Sequence, residues 1–225
     1  MSRSYFITAT DTGAGKTFVS SSIARALRLK GVDVGVMKPV ESGCAEIDGS
    51  LVPEDAVALK AASCSADAIE EICPYRLSQP ISPHLAARLS GVKIDFEVIK
   101  SGYRKLSARH GLMLVEGAGG LLAPLTDDKT VADLVVALRL PVIIAATSKL
   151  GVINHTLLTV EAARNRGIEV RAIILNGNSE ASDGSMKYNS KEIERITGLR
   201  VFDFPRAKKE APDLTVEGLI ACLFQ

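Results

Sequence analysis

Three short runs in this chain are apolar almost without interruption: "LMLV" at 112–115, "PVIIAAT" at 141–147 and "VRAIILN" at 170–176. A strand with one face in water alternates polar and apolar residues, so a run that is apolar at every position needs cover on both faces. "YFITAT" at 5–10 and "VDVGVMKPV" at 32–40, closed by Pro39, read as two further strands. Helical spacing of apolar residues separates them. It starts with "KTFVSSSIARALRLKG", where Gly31 is the stop, and recurs at about 54–62, 83–90, 95–109, 130–139, 153–166, 189–197 and 213–223. Strands alternating with helices predict an α/β domain spanning 1–225, with a mostly parallel central sheet and helices on both faces. Ligands in such sheets bind outside the carboxyl ends of the strands, so the residues that end strands carry the functional reading.

Between the first strand and first helix lies "ATDTGAGKTF" (9–18). Gly15-Lys16-Thr17 matches the end of the P-loop pattern G-x-x-x-x-G-K-[ST], but Thr10 stands where the first glycine belongs. Gly-Lys-Thr alone recurs by chance in about one chain in ten of this length. The strand before it and the helix after it favour a P-loop over the alternative, a glycine-rich strand–helix turn with an exposed lysine. Gly13 and Gly15 let successive N–H groups turn toward phosphate, and the helix N-terminus adds partial positive charge. Lys16 then serves the β- and γ-phosphates, and Thr17 serves Mg²⁺.

Glu116 directly follows an apolar strand and precedes Gly117, Gly119 and Gly120, the placement of a second Mg²⁺ ligand. Lys38 ends the second strand in "MKPVESG", beside the expected γ-phosphate. Asp55 is either a further metal ligand or a first-turn carboxylate favoured by the helix dipole. Asn176 is either a base-edge partner or a turn residue. The guanine-reading pattern N-K-x-D is absent, since the chain reads Asn176-Gly177-Asn178-Ser179. Adenine is therefore the expected base. His84, His110 and His155 have no partner spacing, and His155 reads as structural.

Composition narrows the class. The 225 residues are 47% hydrophobic and 24% charged, with net charge +1, so no broad basic face for nucleic acid or membrane is expected. Cys44, Cys64, Cys73 and Cys222 form no C-x-x-C and pair with no nearby histidine, which argues against zinc and for reduced thiols in a cytoplasmic protein. Neither a signal peptide nor a membrane-length apolar run is visible. Lys208-Lys209 and the polar segment 178–190 read as surface loops.

Taken in order, "TDTGAGKT", "KPVESG", "PEDA", "SPHLAA", "VEGAGGLLAPL", "KLGVINH" and "LNGN" closely resemble the ATP-dependent dethiobiotin synthetases of biotin biosynthesis, from Tyr5 to about Pro205. That family typically carries Thr at the position of Thr10. The resemblance implies a homodimeric P-loop ligase that closes a cyclic urea from 7,8-diaminononanoate, CO₂ and MgATP. It implies a nucleotide site of Gly13, Ala14, Gly15, Lys16, Thr17, Phe18, Asp55, Glu116, Gly117, Ala118 and Gly119. Asn176 and Gly177 would face adenine, helped by Phe204, Pro205 and Arg206. Thr17, Asp55 and Glu116 would hold Mg²⁺. Lys38 and Lys16 would be catalytic, with Thr12, Lys38 and Ser42 at the carbamate. Gly151, Val152, Ile153, Asn154 and Tyr188 would reach the substrate carboxylate across the subunit interface. Gly177 and the stretch around Arg206 depart from the family pattern, where an acid often follows the adenine-reading Asn.

The main alternative is a MinD/ParA-type ATPase switch. Its signature lysine lies five residues before the P-loop lysine, where this chain has Asp11. Its membrane-binding members end in a basic helix, whereas "DLTVEGLIACLFQ" carries only Asp213 and Glu217 as charges. An amidating relative would need an amidotransferase domain for which 225 residues leave no room, and a plain nucleotide-binding module would not need Lys38 and Glu116 together.

Overall fold

The computed structural model describes residues 3–177, 186–204 and 213–224. Six parallel strands form the central sheet in the order β10-β9-β8-β1-β7-β2. They are β1 (Arg3–Ala9), β2 (Val34–Met37), β7 (Leu112–Glu116), β8 (Val142–Ser148), β9 (Val170–Gly177) and β10 (Val201–Phe204). The double-sided cover expected from the apolar runs is present, and it follows residue parity. Met113 and Val115 of β7 face one core, and Leu112 and Leu114 face the other. On the first face lie α4 (Pro83–Leu89), α5 (Phe96–Ser107), α6 (Val131–Leu138), α7 (Val152–Arg164) and α8 (Met186–Thr197). The second face carries α1 (Lys16–Leu29), α2 (Glu54–Ser63), α3 (Ile69–Ile72) and α9 (Asp213–Phe224). Among the described residues, no helix is long and apolar enough to cross a membrane.

Two expectations need correction. The run 32–40 is not one strand: β2 stops at Met37, and a separate short strand β3 (Val40–Ser42) pairs with β6 (Tyr75–Leu77) away from the main sheet. Pro39 has no N–H to continue a ladder, so the chain leaves the sheet there. Lys38 sits in the break, its backbone N–H bonded to the Ile72 carbonyl. Secondly, the loop read over 178–190 runs too far, because α8 already begins at Met186. Asn189 is buried on that helix and donates to Ser148 at the end of β8, a tertiary contact that polar composition alone does not reveal. The strands β4 (Ala45–Ile47) and β5 (Ser50–Val52) form a small exposed hairpin missed by periodicity. Lys208-Lys209 lies outside the described residues.

Candidate active site

Sheet order brings the strand ends together. β1, β7 and β2 are neighbours, with Ile7 paired to Glu116 and Met37 paired to Val115. Lys38 therefore emerges level with Glu116, and the loop leaving β1 arches over both. That loop ends at Gly15, whose φ of 87° lies in the left-handed region that favours glycine. A Cβ there would lie 2.5 Å from Asn176 Nδ2. The Asn176 amide in turn donates to the Ala14 carbonyl, so the last strand residues of β9 brace the phosphate loop from across β8 and β1. Asn176 Oδ1 is buried without a hydrogen-bond partner among the described residues.

Lys16 opens α1 and is buried. Its ammonium makes no ion pair or hydrogen bond among the described residues. Burial and then the neighbouring Lys38 charge push it down to about 8. Glu116, Asp55 and Asp11 offset part of that burial cost, and a phosphate group in direct contact would offset more. Lys38 is in the opposite situation. Its Nζ lies 2.6 Å from Glu116 Oε1 and 2.7 Å from Asp55 Oδ2. Burial opposes its charge, but Glu116 and Asp55 outweigh burial and hold the ammonium above the usual lysine range. Burial would raise the Asp55 carboxyl, yet Lys38 and the Thr17 hydroxyl hold it below the usual range.

These groups fit a hard divalent cation. Thr17 Oγ1 lies 2.8 Å from Asp55 Oδ1 and 2.9 Å from Glu116 Oε1. A hydroxyl has one proton, so it can satisfy only one of those oxygens. Glu116 is fully buried, and its Oε2 has no partner among the described residues. Crowded oxygens, one proton too few and an orphaned carboxylate oxygen are what an oxygen-binding cation would resolve. The described residues contain no cluster of three or more His, Cys, Asp or Glu suited to a metal. The protein donors here are two carboxylates and a hydroxyl, which suits Mg²⁺ sharing its shell with phosphate and water.

Next to this cluster is a cavity of about 770 Å³. Thr12 and Ser42 meet in its wall, with Ala118 and Gly119 from the turn after β7. Leu122, Leu158 and Ala162 line it too, so a polar end passes into an apolar one. His155 also lines this cavity, although its sequence reads as structural. Only the packing of α7 beside the P-loop shows its position. Gly151, Val152, Ile153, Asn154 and Tyr188 do not line it within one chain. Gly151 is the left-handed residue that starts α7, and Tyr188 is exposed on α8. Phe204 is wholly buried and packs edge-on against Phe18 at 6.4 Å, so its ring belongs to the core. Gly117 follows β7, and Gly177 ends β9. Pro205 and Arg206 lie outside the described residues.

One participant has no sequence signal. Glu41 of β3 is buried, and its two carboxylate oxygens accept the backbone N–H groups of Asp55 at 2.9 Å and Ala56 at 3.1 Å. Burial pushes its carboxyl above the usual range.

A family model described as an AAA domain matches residues 3–203. The ATP-dependent dethiobiotin synthetase BioD of an Anaeromyxobacter species is 49% identical over 196 residues, which is 87% of this chain and 86% of that protein. The enzyme of the same description from Bacillus velezensis is 43% identical over 194 residues, covering 86% and 82%. Among solved structures, the septum site-determining protein MinD complexed with Mg-ADP from Pyrococcus horikoshii aligns with a TM-score of 0.60 at 13% identity, over 99% of this chain and 93% of that one. At that identity the likeness to MinD shows a shared α/β fold and nothing about activity. The sequence relatives decide what the fold leaves open: this chain belongs to the family of ATP-dependent dethiobiotin synthetases.

Proposed function

We propose that the chain uses ATP to close the ureido ring of dethiobiotin from 7,8-diaminononanoate and CO₂. One substrate amine adds CO₂ to give a carbamate and releases a proton. A carbamate oxygen attacks the γ-phosphorus, ADP departs, and a carbamic–phosphoric anhydride forms. The second amine attacks the carbonyl carbon, closing a five-membered ring and expelling phosphate.

No step needs a protein nucleophile; positioning and charge neutralisation suffice. The observation that carries this reading is the convergence of two buried lysines and two carboxylates beside a cavity that is polar near the P-loop and apolar beyond. Lys16, aided by the backbone of Gly13, Ala14 and Gly15, holds the phosphates. Lys38 offsets charge on the transferring phosphoryl group. Thr17, Asp55 and Glu116 hold Mg²⁺, which when bound supplies positive charge to the phosphate oxygens. Thr12 and Ser42 orient the carbamate, and the apolar wall takes the alkyl chain. Asn176 would offer its unpartnered oxygen to the adenine amino group.

The enzyme works as a cytoplasmic homodimer in this reading. Gly151, Val152, Ile153, Asn154 and Tyr188 then serve the neighbouring subunit's substrate carboxylate. The exposure of Leu150, Leu158 and Tyr188 around that edge supports an interface. The deciding assay supplies diaminononanoate, bicarbonate and MgATP and detects the cyclic urea by mass. Equal amounts of dethiobiotin and ADP are expected. ATP loss without that product would instead favour a switch of the MinD type.

A further inference from the structure

Helix α2 delivers Asp55 to the cation cluster, yet its own start lacks the usual support. Its N-cap residue is Pro53, which offers no side-chain acceptor. The N–H groups that an N-cap side chain serves are those of the second and third helical residues, here Asp55 and Ala56. Both are taken by one carboxylate from a different element, Glu41 of β3.

We propose that Glu41 is a positioning residue, whose carboxylate caps α2 from outside and so fixes Asp55 against Thr17 and Lys38. A serine or aspartate at position 53 would satisfy the same donors but would tie the helix only to itself. A cap that comes from β3 ties it to the strand beginning two residues after Lys38. The stretch from Lys38 to Ser42 thereby serves three places at once: the cation cluster, the start of α2 and the cavity wall. The two bonds hold α2 at two adjacent N–H groups, limiting both rotation and sliding. One of these N–H groups belongs to Asp55 itself, whose carboxylate makes contacts of 2.8 Å and 2.7 Å. A shift of about 1 Å would break those contacts, a misplacement on the scale that costs enzymes about 100-fold. The negative charge of Glu41 also lies at the positive end of the helix.

The inference rests on the reading of Asp55 as a cation ligand. Its test is the binding of Mn²⁺ to the full chain in the presence of ADP, with free Mn²⁺ followed by electron paramagnetic resonance. Glu41→Ala is expected to weaken Mn²⁺ binding about tenfold, the loss typical of removing a group that orients a metal ligand. Glu41→Gln keeps one acceptor oxygen and should fall between this variant and the parent, including where Glu41→Ala folds poorly. Adding Glu41→Ala to Asp55→Ala should cause little further loss, because the two act through one contact. Asp95→Ala is the structural control. It removes the cap of α5, where Asp95 accepts the Glu97 N–H at 2.8 Å, and should lower Tm without touching Mn²⁺ affinity.

Parent-like Mn²⁺ binding in both Glu41 variants overturns the proposal. So does an equal loss in Asp95→Ala, or full additivity with Asp55→Ala. If Asp55→Ala itself leaves binding intact, the cation-site reading fails and the role of Glu41 falls with it. A response to Asp55→Ala but none to Glu41→Ala removes Glu41 alone.

Discussion

The strand pair β2–β7 carries a charge cluster at each end, and the two are built alike. At the carboxyl end, Lys38 lies between Asp55 and Glu116. At the amino end, His110 lies between Asp33 and Asp67, with ring-nitrogen contacts of 3.0 Å and 2.8 Å. Each cluster thus places one basic group between two carboxylates. The difference is in satisfaction. His110 has a carboxylate on both ring nitrogens, and Arg109 adds ion pairs to Asp67 and Glu71. The upper cluster leaves Glu116 Oε2 without a partner and gives the Thr17 hydroxyl two acceptors for one proton. Buried polar groups are normally paired, and the exceptions call for an explanation. The saturated cluster clamps the strands. The unsaturated one is where the proposed function puts the cation.

The sharpest way to break this comparison is Lys38→Ala. It should cut turnover about 100-fold or more, as expected for losing one oriented charge stabiliser, with circular dichroism unchanged. Near-normal dethiobiotin formation would remove Lys38 from the chemistry. Glu116→Gln should raise the free Mg²⁺ needed for half-maximal rate by about 10-fold or more. A Mg²⁺ titration that overlays the parent's would end the ligand role of Glu116.

The smallest effect is expected at the other end of the strands. Burial lowers the His110 pKa, but Asp67 and Asp33 outweigh burial and leave it above 6.5. A raised folded pKa means stability that is fully present below the unfolded value of about 6.5 and lost as pH rises through the folded value. His110→Gln should therefore lower Tm most near pH 6, by about 2–4 °C for up to about 1 kcal/mol, with the gap closing toward pH 9. Melting curves across that range test it. The Asp67 contribution has the opposite sign: burial raises its pKa, but Ser65, His110 and Arg109 hold it below 3.8. That share is present above about 3.8 and is lost as pH falls through the folded value. A His110→Gln gap that stays constant with pH would mean that packing alone, not charge, holds the lower cluster.

Much of this molecule is legible in its sequence. The apolar runs at 112–115, 141–147 and 170–176 become most of β7, β8 and β9 because runs this short and this apolar suit strands covered on both faces. Gly15-Lys16-Thr17 is readable because its function is local: a strand, a tight turn and a helix start within ten residues. The break at Pro39 is harder to read, since the residues after it keep strand-like composition but pair with a different partner. The start of α8 is missed because "MKYNS" is polar, although Asn189 packs inward on Ser148.

The sequence alone determined the layered α/β architecture and the phosphate-binding turn, because periodicity and glycine placement act over a few residues. Tertiary structure alone decided which groups meet that turn. Thr17 meets Asp55 from 38 residues away and Glu116 from 99, distances over which no local pattern reaches. Glu41 depends on the third dimension even more. Nothing about a glutamate in a short strand shows that it caps a helix 14 residues later. Only the packing of β3 against the start of α2 makes that contact, because the Asp55 and Ala56 N–H groups need an acceptor and the Pro53 side chain offers none.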